Sequence, residues 1–316
     1  HMKRIEDNWG LSLLGKILLI EFESVLEDLP TAEFHWTGQS FWDNHFTFYS
    51  DTQVSRLNQR YAEGSSIVGP HDFFSFITTR NEIDMPLSVS SFKIVPYVAG
   101  TMAYEDGFGF YTKIDDSTKH SEDDIFMGEI GVRGSMRPFW KVFPDVSSQL
   151  WDLNQMRHVI QPRFMAVTYA ENHSVAEQHD IANVGITQRL QTKRGSGTHE
   201  RTVDWMRLNT DITWVNNSYH GETGADRFLW NNPIIPFINE DSTYIPQRDR
   251  RGSAAYGPRH NYFSADYTWN LSDSTAFLTD MHYDLTDGSL QQYDFGVSHM
   301  RQPNLSYYVG GRYLKN

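Results

Sequence analysis

"NYFSADYTWNLSDSTAFLTDMHYDL", residues 261–285, holds two runs of alternating side chains around the turn "SDS". In the first run Phe263, Tyr267, Trp269 and Leu271 fall on one face. In the second, Phe277, Met281, Tyr283 and Leu285 do the same. A period of two over about ten residues is the pattern of a β-strand with one apolar face, and a turn this short makes neighbouring strands pair antiparallel.

Two further segments continue the pattern. "LQQYDFGVSHM" (290–300) and "NLSYYVGGRYL" (304–314) place Tyr293, Phe295 and Val297, then Leu305, Tyr307, Val309 and Tyr313, on their apolar faces. The connectors "TDGS" and "RQP" are built from turn residues, which predicts a meander. Asp266, Asp280, His282, Asp284, Gln292, Asp294 and Arg312 occupy the opposite face. Charge that dense predicts water on that side.

The same period runs upstream. Ile83, Met85, Leu87 and Val89 alternate in "NEIDMPLSV", and Phe92, Ile94, Val98, Met102 and Tyr104 in "FKIVPYVAGTMAY". "TVDWMRLNTDITWV" sets Met206, Leu208, Ile212 and Trp214 against Asp204, Arg207, Asn209 and Asp211. A tilted bilayer crossing needs about 9 to 11 residues, more than the usual strand. The expected fold is therefore all-β: one domain over 1–316, an antiparallel transmembrane β-barrel of about thirteen long strands, or part of one.

Composition agrees. Aromatic residues make up 14% of the chain, yet hydrophobic residues reach only 39% and mean hydropathy is -0.54. A barrel wall needs apolar groups only on alternate residues, with rings near both interfaces. No stretch has the length of a membrane helix; the longest apolar run, Leu11 to Ile20, is interrupted by Gly15 and Lys16. With no cysteine, disulfides and thiolate metal sites are excluded, and a net charge of -13 argues against a nucleic-acid partner. The opening His1-Met2 reads as a cloning remnant, no signal-peptide pattern follows it, and both ends read as boundaries of a longer chain.

Two segments break the alternation. Val146, Leu150 and Leu153 follow Asp145 at helical spacing, predicting a short helical connection over 144–156. The proline-rich stretch near 216–259 predicts a long loop. After the first of these comes "RHVIQPRFMAVTY" (157–169), where Arg157, Gln161 and Arg163 share one face as lumen-facing candidates. Pro86, Pro96 and Pro162 each remove a ladder donor, which predicts locally weakened pairing.

Chemistry-bearing motifs are absent: there is no H-E-x-x-H, P-loop, G-x-S-x-G or paired-histidine zinc spacing. Ser298 with His299, and Ser174 with His173, are strand neighbours pointing to opposite faces, unsuited to nucleophile and base. The sequence thus predicts a protein that is not an enzyme, with no cofactor and no metal. "TKRGSGTHER" (192–201) precedes no helix and reads as a hairpin loop, and the acidic run "DDSTKHSEDD" (115–124) as a solvated tip.

Taken in order, "SVLEDLPTAEFHW", "FYSDTQVSRLNQRY", "EIGVRGSMRPFWKVF", "MRHVIQPRF" and "GPRHNYFSADYTWNLSDSTAFLTDMHYDL" resemble the LptD (OstA) family, lipopolysaccharide-assembly proteins of the bacterial outer membrane. The resemblance implies the barrel portion of such a protein. Its partners would be lipopolysaccharide or a related glycolipid, outer-membrane lipids, an LptE-like plug lipoprotein and an LptA-like periplasmic bridge. It implies no catalytic residues. No jellyroll pattern precedes Trp9, and the ending "GGRYLKN" lacks a terminal aromatic strand signal. From the residues alone, a general outer-membrane porin and a soluble, aromatic-rich glycan-binding β-protein stay open.

Overall fold

The computed structural model of the protein describes residues 1–17, 25–60, 73–106, 110–114, 118–172, 180–195, 200–216, 261–302 and 305–315. Within these the chain is all-β, with no helix. The strands are β1 (Met2–Glu6), β2 (Trp9–Lys16), β3 (Val25–Phe41), β4 (Phe46–Arg60), β5 (Phe73–Asp84), β6 (Leu87–Val89), β7 (Phe92–Glu105), β8 (Phe110–Ile114), β9 (Thr118–Glu122), β10 (Asp124–Met136), β11 (Phe139–Ser148), β12 (Leu153–Glu171), β13 (Asp180–Arg194), β14 (Arg201–Val215), β15 (Tyr262–Asn270), β16 (Thr275–Asp284), β17 (Ser289–Gln302) and β18 (Leu305–Leu314). Eighteen strands exceed the thirteen expected, because β1, β6, β8, β9 and β11 are short or lack a clean alternation.

Sixteen strands form one antiparallel sheet, whose path runs β1-β2-β3-β4-β5-β7-β10-β12-β13-β14-β15-β16-β17-β18. β6 adds to β7 and β11 to β12, while β8 and β9 form a separate hairpin. The path follows chain order throughout, passing over only β6, β8, β9 and β11. Among the described residues no ladder joins β1 to β18, so the sheet is open along its hydrogen-bonded path. Two compact units share the chain: His1–Leu87 with Val95–Val132 and Val167–Gln178, and Ser88–Ile94 with Arg133–Ala166 and His179–Asn316.

The register of the last four strands follows the alternation in the sequence. Phe263 is the partner of Tyr283, and Trp269 of Phe277. Asp266 meets Asp280, Asp280 meets Asp294, and Asp294 meets Arg312. One row is apolar and the next charged, which is what a period of two requires of a meander in register.

Connections also alternate in length. Asp7-Asn8, residues 42–45, 149–152 and 271–274 are tight turns at one set of strand ends. Several need left-handed backbone: Asp43 and Asn44 have φ of 54° and 62°, and Asp152 has 49°. Asp and Asn tolerate this region because their short polar side chains bond locally. The opposite ends carry the longer links, from Arg60 to Phe73 and from Val215 to Tyr262, with the tight turn between β16 and β17 as an exception. The loop expected near 216–259 lies almost wholly outside the described residues.

The helix expected over 144–156 is not formed. Residues 139–148 are β11, which turns at 149–152 into β12, with Phe139 paired to Ile160 and Val142 to Arg157. Leu150, read as part of an apolar helical stripe, is 83% exposed at the turn. Leu153 is buried as the first residue of β12 instead, and the flanking runs had a ladder to complete.

Candidate functional site

Burial in this sheet is inverted relative to a protein folded in water. In the first unit Thr31, Ser55, Glu82, Asp84, Thr101 and Glu129 are buried, while Val54, Ile77, Val98, Met102 and Ile130 are exposed. In the second, Asn183, Asn209, Asp211, Thr213 and Ser264 are buried, while Val184, Ile186, Trp214, Phe295 and Val309 are exposed. The contrast is large, from 1% for Thr213 to 72% for Val309. The hydrophobic effect drives the reverse arrangement in water. A sheltered polar face is the candidate site.

The sheltered face also holds apolar side chains. Ile125, Met127, Val167 and Tyr169 are buried in the first unit. On β12 the face carrying Arg157, Gln161 and Arg163 also carries Val159 and Met165, and both are buried.

Arg163 itself is buried and ion-paired. Its Nη2 lies 2.5 Å from Asp211 Oδ2, and its Nη1 donates to Thr187 Oγ1. Asp211 belongs to β14, and β13 runs between it and β12. The pair crosses β13 at Gly185, the register partner of Asp211. A Cβ at Gly185 would overlap Asp211 Oδ1 and stand 2.9 Å from Arg163 Nε, so only glycine leaves the passage open.

A second crossing pair holds the first unit. Arg80 on β5 sits 2.6 Å from Glu82 Oε2 and 2.9 Å from Glu129 Oε2, and its Nε also donates to Glu129 Oε1 at 3.3 Å. The two bonds to Glu129 make a fork-to-fork contact, the strongest geometry available to guanidinium and carboxylate. His35 Nδ1 lies 3.0 Å from Asp51 Oδ2 on the same face.

In the last four strands three aspartates stand in one row. Like charges in register are costly, and neighbouring polar groups offset this. Arg312 Nε donates to Asp294 Oδ1 at 2.7 Å, Gln292 Nε2 to Asp294 Oδ2 at 2.8 Å, and His282 Nε2 lies 3.1 Å from Asp280 Oδ1. Asp266, Asp280, His282 and Arg312 are thus brought together. Asp284 is not part of the group: it accepts from the backbone N–H groups of Thr286 and Asp287 and shapes the β16–β17 turn.

Arg157 donates to Gln191 Oε1 at 2.8 Å, and Gln161 is half-buried on the same face. The prolines lie at interruptions. Pro86 is between β5 and β6, not within a strand. Pro96 O accepts from Met85 N at 3.0 Å, beside that break. The β11–β12 ladder stops at Ile160, so Pro162 lies beside the gap between Met136 and Phe139. Pro86 and Pro96 therefore stand at the break between β5 and β6, and Pro162 is level with the gap between β10 and β11.

Outside the wall, the turn after β15 holds Asp273. Arg201 Nη2 lies 2.6 Å from its Oδ2 and Arg194 Nη1 3.2 Å from its Oδ1. Hydrogen bonding from Arg201 above all, joined by Arg194, holds this carboxyl below its ordinary value of 3.8 against the opposing effect of desolvation. Among the described residues no group of three His, Cys, Asp or Glu is placed to hold a metal ion. His299 Nδ1 engages Thr275 Oγ1 at 2.8 Å.

Alternation had marked Arg207, Asn209 and Asp211 as one polar face, but not Arg80, Glu82 or Glu129 as members of a site. Their partners lie up to 49 residues away in sequence. Register decides them, and register is not written in any single strand. No protein-family model and no curated protein matches the chain. The likeness to the lipopolysaccharide-assembly family stands on the quoted stretches alone.

Proposed function

We propose that the chain forms the wall of a bacterial outer-membrane β-barrel of the LptD-like kind. It passes lipopolysaccharide or a related glycolipid to the outer leaflet without catalysing a covalent change. The inversion of burial carries this reading. Apolar residues turned outward on consecutive strands suit a surrounding of lipid, and a polar sheltered face suits a saccharide in transit. Tight turns at one set of strand ends and longer links at the other add support, since outer-membrane barrels show that asymmetry. The glycolipid, an LptE-like plug and an LptA-like bridge enter from the family resemblance.

This reading requires β1 and β18 to pair, and no ladder among the described residues joins them. The path between them counts fourteen strands among the described residues, and an even meander brings its first and last strands together antiparallel. Because the chain has no cysteine, closure is directly testable. Arg4→Cys on β1, combined in turn with cysteines at 306, 308, 310 and 312 on β18, should form a disulfide at one register in detergent micelles. The folded protein should also migrate differently on a gel before and after boiling. High solubility without detergent and no such shift overturn the membrane assignment.

A polar-solute channel is the second reading. It is favoured by a sheltered face in the second unit that carries arginines and aspartates together, as a water-filled passage for polar solutes would. Steady conductance in a planar bilayer, with no binding of lipopolysaccharide, would select it.

A further inference from the structure

We propose that Trp140, with Arg157 and Gln161 beside it, forms a saccharide-binding subsite on the sheltered face of the second unit. The proposal rests on the glycolipid reading above for the source of the sugar, but not for the geometry of the site. Trp140 on β11 is the register partner of Val159, and Val142 of Arg157. Register partners share a face, so Trp140 stands with Arg157, Val159 and Gln161 on the sheltered side.

The other described strand tryptophans of this unit turn the opposite way. Trp214 follows Ile212, the partner of the exposed Val184, while Trp269 is opposite Phe277 and packs edge-on against Trp205. Those three serve the apolar outer face, and Trp140 does not. Its side chain is 63% exposed, although its partner Val159 is only 6% exposed. The topology explains the contrast: among the described residues β11 has a ladder with β12 alone, so no further strand covers the indole.

The neighbours of Trp140 set the ligand class. Arg157 and Gln161 are its two diagonal neighbours on β12, a separation that long side chains span. Arg157 is exposed and engages Gln191 Oε1 through Nε, while its terminal nitrogens bond no described residue. The half-buried Gln161 amide likewise has no side-chain partner among the described residues. A flat aromatic surface flanked by free planar donors fits a pyranose ring. The C–H face of the sugar lies on the indole, and its hydroxyls meet the guanidinium and the amide. An acyl chain fits poorly, because it would take water from Arg157 and Gln161 and return no hydrogen bond. A cationic headgroup would meet the charge of Arg157. The ligand is therefore an uncharged or anionic sugar.

The test uses the full chain in micelles of an amine-oxide detergent, which carries no sugar of its own. Binding is measured for lipopolysaccharide and for the free core oligosaccharide released from it, which has no acyl chains. Wild type should bind both. Trp140→Ala should weaken oligosaccharide binding about fivefold to tenfold, and Trp140→Phe should keep part of it. Gln161→Ala should weaken it about threefold. Trp214→Phe, on the outer face, should leave it unchanged. A gel run with and without boiling checks that each variant is folded; if Trp140→Ala misfolds, Trp140→Phe and Gln161→Ala carry the same comparison.

Lipopolysaccharide binding by wild type, with none of the free oligosaccharide, overturns the subsite and leaves the carrier reading intact. Oligosaccharide binding that depends on Trp140, with no binding of lipopolysaccharide, keeps the subsite and overturns the carrier reading. Binding of neither overturns both. Equal oligosaccharide binding by wild type and by the folded Trp140 and Gln161 variants places the sugar elsewhere and overturns the proposal.

Discussion

Arg163 and Asp211 form an ion pair across an intervening strand, at 8% and 3% side-chain exposure, through the gap left by Gly185. A buried pair gains little over a well-packed apolar replacement, but breaking it by removing one partner leaves an uncompensated charge. Its value here is in fixing β12, β13 and β14 to one register. A one-residue slip would turn every polar side chain of this wall outward.

Gly185→Val is therefore expected to destabilise the protein by about 3 kcal/mol or more, through overpacking and loss of the pair. Asp211→Ala should cost about 3 to 5 kcal/mol. The double change Arg163→Met with Asp211→Leu should fall within about 1 kcal/mol of wild type, because it removes both charges and keeps the volume. Urea midpoints in a fixed detergent measure all three. A double variant as unstable as Asp211→Ala would mean that the pair is needed for more than its own charge balance.

Ile186 and Phe295 sit near the middle of the apolar faces of β13 and β17, and both are exposed. Arginine at either place should cost about 2 to 4 kcal/mol if the face contacts the bilayer core. The same change on the surface of a soluble sheet stays within about 0.5 kcal/mol. Folding titrations into lipid vesicles separate the two, and a neutral result at both positions would rule out lipid contact there.

Tyr308 covers two glycines. A Cβ at Gly310 would stand 2.5 Å from the Tyr308 hydroxyl, and one at Gly296, the partner of Gly310, would overlap the same ring. Gly296→Val should displace the ring and loosen β18, the last strand of the path. Hydrogen exchange across 305–314 should then rise while exchange in β13 and β14 is unchanged.

Much of this was legible in advance. The alternation of residues 261–314 gave strands, faces and order, because a period of two and short turns leave few alternatives. It put Asp266 and Asp280 on the polar faces of their strands, and the register that makes them partners came with the structure. Three things were not legible. Val146, Leu150 and Leu153 look helical only when the ladder between β11 and β12 is unknown. The Arg163–Asp211 pair needs the register of three strands at once. The prolines read as weak points until the breaks beside them are seen, since the cost of a missing donor depends on whether the neighbour offers an acceptor there.

Asp273 supplies a prediction for pH. Its folded value lies below 3.8, so it contributes stability that is complete above that value and is lost as pH falls through the lower, folded one. The contribution is small, because the carboxyl is 57% exposed and screened by solvent. Acidification below pH 3.8 should therefore free the turn at 271–274 from Arg194 and Arg201 before the wall itself unfolds. Asp273→Asn should produce the same loosening at neutral pH and abolish its dependence on acid. Hydrogen exchange at Arg194 and Arg201 between pH 5 and 2, corrected for the intrinsic rate, reads both effects. Equal acid sensitivity in Asp273→Asn and wild type would show that another group controls this end of the sheet.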